Sequence, residues 1–153
     1  MKHILYLLFA LPFMLTSCVS DDIDEIFVSG TWNVGNFYVG GDWHKINDGA
    51  RPAYTNNEDI KALNLMTVSF LKDGTLEGKM LNGTFSARWE ADADGRTISV
   101  INIKTSSTPT GKSKELIEAL KKAAYYKGDS NVLKLASEDK KSYVQLGHYP
   151  ENK

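Results

Sequence analysis

The amino-acid sequence predicts a mainly β fold with one α-helix, a small curved antiparallel sheet or partly open barrel. Three observations carry this. Apolar and polar residues alternate through most of 66–103, the period of a half-buried strand. Asp73-Gly74, Asn82-Gly83 and Asp94-Gly95 cut that run at short intervals, as hairpin turns do. Only the segment around 113–124 spaces its apolar residues as a helix does. One helix cannot cover both faces of a flat sheet of about seven strands, so the sheet curls and the helix covers its open side.

Taken in order, the chain opens with Lys2 and His3, followed by Ile4 to Leu15 without a charge. As a helix this stretch would rise about 18 Å, short of the roughly 30 Å bilayer core, so it reads as a secretory signal peptide over 1–17. It ends in Leu15-Thr16-Ser17-Cys18, which resembles the lipobox of bacterial lipoproteins. That resemblance implies cleavage before Cys18 and acylation of it, and several acyl chains anchor a protein stably. Residues 18–29 include Asp21, Asp22, Asp24 and Glu25 and are expected to form an acidic tether with little to bury. The tether is either a solvated spacer or a tag resembling the Ser-Asp-rich signal of surface lipoproteins. No Asp directly follows Cys18, so the expected location is the outer membrane, periplasmic or surface-exposed.

A single domain is expected over 30–148, with a short tail at 149–153. Gly30-Thr31-Trp32 opens a strand whose alternation breaks at Gly35, as at a β-bulge, and resumes through Val39. Residues 40–58 lack a period and form a long loop, after which Asn57 is expected to cap a short turn across Glu58 to Leu63. Met66, Val68 and Phe70 begin a meander. In its later strand Phe85, Ala87, Trp89 and Ala91 share one face and Thr84, Ser86, Arg88 and Glu90 the other. Asn82-Gly83 predicts a type I′ turn. Ser113 is the expected cap of the helix, and Lys127-Gly128 its end. Val132 to Ala136 and Tyr143 to Leu146 close the domain as a hairpin.

This order resembles the META domain, or HslJ-like family, in a small bacterial lipoprotein. Its Gly-x-Trp opening is matched by Gly30-Thr31-Trp32, and its aromatic residue with Asp-Gly turn by Phe70 and Asp73-Gly74. A closing helix, Tyr and Leu-x-Leu are matched by Leu116 to Tyr126 and Leu133-Lys134-Leu135. The family's Gly-Cys-Asn segment is missing. A lipocalin-like barrel also opens on Gly-x-Trp and is the second resemblance. Neither implies a catalytic residue.

Composition narrows the function. In 153 residues there are 18 basic and 19 acidic side chains, a net charge of −1, which does not suit a nucleic-acid binder. One Cys excludes an internal disulfide and a Cys-rich zinc site. No phosphate loop, dinucleotide fingerprint or nucleophile elbow is present. The expectation is therefore no enzyme, no cofactor and no metal. The densest chemistry is Asp42-Trp43-His44, with Arg51 and Tyr54 on the same loop. Two flat rings and a few directional polar groups suit a glycan or a small amphiphile. The plainer reading is that Trp43 folds back to seal the sheet. The expected function is a non-enzymatic binding module anchored to the membrane at Cys18. The alternative is a structural or envelope-stress protein acting through contacts with another envelope protein.

Overall fold

The computed structural model describes residues 17–148. The hydrophobic leader and the 149–153 tail lie outside these residues. Helix α1 (Ser17–Phe27) leads into β1 (Thr31–Val39) and the two-residue β2 (Arg51–Pro52). Helix α2 (Asn57–Leu65) precedes a meander of β3 (Thr67–Phe70), β4 (Thr75–Met80), β5 (Gly83–Asp92) and β6 (Thr97–Thr105). Helix α3 (Gly111–Lys122) is followed by β7 (Tyr125–Gly128), β8 (Val132–Ala136) and β9 (Ser142–Gly147).

The nine strands form one antiparallel sheet in the order β2-β1-β3-β4-β5-β6-β7-β8-β9, and β9 returns to pair with β1. The sheet thus curves into a ring. It is not a regular barrel, because β6 and β7 meet at a single pair, Thr97 with Tyr125, and α3 packs across that side against β6, β8 and β9. The predicted fold class holds. The break at Gly35 is present, with the β1–β9 register shifting between Val34 and Asn36.

Inside the ring lie Trp32, Val34, Val68, Leu76, Leu133, Leu135, Val144 and Leu146, each almost fully buried. Helix α3 adds Leu116, Ile117 and Leu120.

Residues 18–29 are not a free tether. Ile23, Ile26 and Phe27 stand at helical spacing and pack on the domain, while Asp22 and Glu25 are exposed and Asp24 lies 3.8 Å from Lys72. Phe27 is 0% exposed, with its ring 5.0 Å from Phe70, 5.2 Å from Trp89 and 4.8 Å from Tyr126 between centroids. The indole Nε1 of Trp32 donates to the Phe27 carbonyl at 3.1 Å and fixes the helix end to β1. Cys18 falls in the first turn of this helix.

Smaller expectations are also revised. The cap of α2 is Asn56, whose side chain accepts from the Asp59 amide, because a cap accepts from the residue three further on. The β4–β5 turn is Leu81-Asn82, with Gly83 already paired to Met80; Asn82 does not reach positive φ, so the turn is not type I′. Ser113 lies inside α3, where its buried Oγ accepts from the Leu81 amide at 2.9 Å and ties the helix to that turn. Helix α3 stops at Lys122, and the chain re-enters the sheet as β7. His148 stacks on Trp32, with centroids 3.9 Å apart.

Candidate functional site

The candidate site is built on the outside of the ring. Neighbouring residues of a strand point to opposite faces, and Val144 is in the core, so Tyr143 faces outward. Its cross-strand partner on β1 is Tyr38, and the two rings stack with centroids 4.9 Å apart. On β7 and β8 the same alternation turns Lys127 and Lys134 outward as a directly opposed pair. Two aromatic rings and two amines therefore form a floor beneath the 40–50 loop.

Trp43 lies on that floor. Its ring is tilted against Tyr143 at 5.7 Å, and Lys127 Nζ sits 4.1 Å from its centroid while also donating to the Trp43 carbonyl. Such a cation over an indole contributes roughly 0.5–2 kcal/mol. The plainer expectation fits in part: Trp43 does fold back, yet onto the outer face of the sheet and not over an open edge.

The loop is closed by its own polar groups. The Asp42 amide donates to the Asp48 carbonyl at 2.7 Å, and the Asp42 carboxylate accepts from the His44 amide at 3.1 Å. Gly41 is required at the neck: its φ is +82, and a Cβ there would stand 2.5 Å from the Asp48 carbonyl oxygen.

Asp48 links loop to floor, accepting from Tyr143 Oη at 2.8 Å with Lys134 Nζ at 3.7 Å from the same oxygen. The Ala50 amide holds the Asp48 carboxyl below its usual range, against burial and with help from Tyr143 and Lys134. Burial, and then the Asp48 charge, pushes the Tyr143 phenol up. Burial, and then Lys134, pushes the Lys127 ammonium down.

Two hollows flank Trp43. One, of about 400 Å³, is lined by Trp43, Ile46, Val132, Lys45, Lys127 and Lys134. Ile46 is 99% exposed and Val132 is exposed beside it, so this hollow joins apolar surface to amines. The other, of about 230 Å³, lies between Trp43, His44, Arg96, Tyr125 and Lys140.

Of the five predicted residues, Asp42, Trp43 and His44 come together here. Arg51 and Tyr54 do not. Arg51 is exposed on β2, paired across the sheet with Val39. Tyr54 belongs to the α3 side, where its Oη donates to Glu115 Oε2 at 2.8 Å and Lys112 Nζ lies 4.8 Å from its ring. Buried Asn36 holds the Tyr54 backbone at both ends, donating to its carbonyl at 2.6 Å and accepting from its amide at 3.2 Å. Burial first, and then Glu115, pushes the Tyr54 phenol up to about 12. Tyr54 is a clamp between loop and helix.

Lys127, Lys134 and Tyr143 were not anticipated. Reading Lys127-Gly128 as a helix end hid the Lys127–Lys134 pair; the available signal was the alternation of Tyr126, Lys127 and Gly128.

The family model for the domain of unknown function DUF4847 matches residues 19–148. The crystal structure of a DUF4847 family protein from Bacteroides vulgatus is similar to this chain at 36% identity and a TM-score of 0.71, covering 85% of this chain and 99% of that one. The NMR structure of a protein from Burkholderia xenovorans is 10% identical with a TM-score of 0.55, over 82% of this chain and 85% of that one, and shares the fold alone. No curated protein matches the chain. The resemblance to the META domain, and the lipocalin-like one after it, rested on short devices such as Gly-x-Trp, Asp-Gly and Leu-x-Leu that many β proteins use; the family match overturns it. The chain belongs to the DUF4847 family.

Proposed function

We propose that this protein is a non-enzymatic binding module, held at the bacterial outer membrane or cell surface by acylation of Cys18, and that it takes a small anionic amphiphile beside Trp43. The observation that carries this reading is the hollow of about 400 Å³ in which fully exposed Ile46 and exposed Val132 stand with Lys45, Lys127 and Lys134 around an indole. Ligand sites are typically apolar, with a few convergent polar groups, and this hollow has both parts. An amphiphile's tail would cover Ile46 and Val132, and its head would meet amines of which only Lys134 has a carboxylate partner among the described residues. The Leu15-Thr16-Ser17-Cys18 sequence supports the anchor.

Two measurements test the two halves. Trp43 is the surface reporter, since Trp32 is buried and Trp89 half-buried. Titration with decanoate below its micelle concentration is expected to change tryptophan fluorescence saturably, with no response to decanol at the same concentration. Trp43→Ala should abolish the change and lower the melting temperature by only a few degrees, the scale of the lost contact with Lys127. No saturable response, or one that survives in Trp43→Ala, refutes the site. Mass spectrometry of the chain made with its leader in a bacterial host tests the anchor: a species beginning at Cys18 and carrying acyl chains supports it, and an unacylated chain refutes it.

A further inference from the structure

A hollow larger than either of those beside Trp43 lies elsewhere on the ring. It is an open trough of about 930 Å³ on the outer face of β1, β3, β4, β5 and β6. The pairing register explains its lining. Thr31 stands opposite Ser69, Ser69 opposite Glu77, Glu77 opposite Ser86, and Ser86 opposite Lys104, one rank across five strands. A second rank runs beside it through Asn33, Thr67, Lys79 and Thr84. At roughly 4.8 Å between strands, the first rank spans about 19 Å.

The trough is concave because the sheet is bent here. The β5–β6 register shifts between Ser86 and Arg88, and Asn102 on β6 sits at φ 56, in the left-handed region that Asn tolerates better than most residues. A bulge of this kind sharpens the local twist.

Its chemistry is uniform. Both ranks present hydroxyl, amide or charged side chains, and the one ring on its wall, Phe85, belongs to the core. Among the described residues no ion pair or hydrogen bond engages the side chains of Glu77, Lys79 or Lys104. The Ser69 hydroxyl donates to Thr31 Oγ1 at 3.2 Å, which orders that end of the rank.

We infer that this trough is a second ligand site, distinct from the Trp43 hollow, and that it binds an anionic oligosaccharide. An acyl chain or an apolar protein surface laid there would strip water from both polar ranks and give their side chains no partners. A chain of sugar hydroxyls finds donors and acceptors at regular spacing along both ranks. The two amines, Lys79 and Lys104, exceed the single carboxylate of Glu77, so a carboxylated or sulfated sugar is favoured over a neutral one. The length of the rank suits a tri- to tetrasaccharide.

Isothermal titration of the full chain with tetragalacturonate and with a sulfated tetrasaccharide tests this, with maltotetraose as the neutral control. At least one anionic tetramer should bind saturably, and less tightly as salt rises. Lys79→Gln with Lys104→Gln should weaken binding at least about tenfold while the thermal melt is unchanged, because both side chains point into solvent. Trp43→Ala should leave it unaffected, so failure of the amphiphile site and failure of this one are separable. The inference is overturned if neither anionic tetramer binds more tightly than about 1 mM, if maltotetraose binds equally well, or if Trp43→Ala removes the binding. It is likewise overturned if sedimentation shows a dimer that Lys104→Glu dissociates, since a second copy would then occupy the trough.

Discussion

Replacing Phe27 with alanine asks whether α1 is part of the folded domain or an appendage to it. The Phe27 side chain is fully buried among Phe70, Trp89 and Tyr126, with centroids 4.8–5.2 Å away and edge-to-face or tilted geometry. Truncation of a buried Phe costs about 3–5 kcal/mol, through lost transfer energy and the cavity left behind. Each aromatic pair adds about 0.5–1.5 kcal/mol beyond area alone. Measured truncation costs already contain such contacts, so the middle of the range, about 4 kcal/mol, is the expected loss. For a domain of this size, roughly 3–4 °C of melting temperature accompanies each kcal/mol, so the midpoint should fall by about 12–16 °C. Urea unfolding followed by tryptophan fluorescence measures the free energy and reports locally, because Trp89 touches the mutated site. A loss under about 1 kcal/mol with an unchanged m-value would refute the reasoning, since α1 would then rest on the domain without stabilising it.

Two further outcomes are expected. Gly78→Ala should destabilise the protein by about 2–3 kcal/mol, because its Cβ would stand 2.2 Å from the Thr67 carbonyl oxygen and 2.3 Å from the Phe85 ring. The backbone oxygen cannot step aside, so adding Phe85→Leu should recover only part of the loss in thermal melts. Asp48 titrates below its ordinary value of 3.8 in the folded state. Its contribution is therefore complete above that value and disappears as pH falls through the depressed one. Acid unfolding of the wild type should steepen below about pH 4, and Asp48→Asn should flatten that limb in fluorescence-monitored pH titrations.

The meander was legible because each strand there has one dry face. Phe85, Ala87, Trp89 and Ala91 face the core side as their alternation requires, and the outward set Thr84, Ser86, Arg88 and Glu90 is exposed. Gly35 marked a real irregularity for the same local reason. Helix α1 was hidden by composition: four acidic residues dominate the segment, and the spacing of Ile23, Ile26 and Phe27 covers barely more than one turn. Strand β7 was hidden by the apolar periodicity of α3, which carries on through Ala123 and Ala124 beyond the point where the helix stops. The site was legible only as a loop. Trp43 meets Lys127, which is 84 residues away, and Tyr143, which is farther still along the chain. The trough was invisible because a rank such as Thr31, Ser69, Glu77, Ser86 and Lys104 exists only once four registers are set. None of its members is conspicuous alone.

The rigid path from Cys18 to Phe27 has a consequence for how the domain would stand at a surface. Along a helix that path is about 14 Å at 1.5 Å per residue, and its far end is bolted to the core by the Phe27 ring and the Trp32 indole. A protein acylated at Cys18, as proposed, would have almost no leash. It would ride close to the bilayer at a preset attitude, steered by the helix axis and not by a swivel. The compass bearing of the trough and of the Trp43 hollow relative to the lipid would then be built into the fold. Inserting flexible residues after Cys18 would turn a fixed mast into a mooring line.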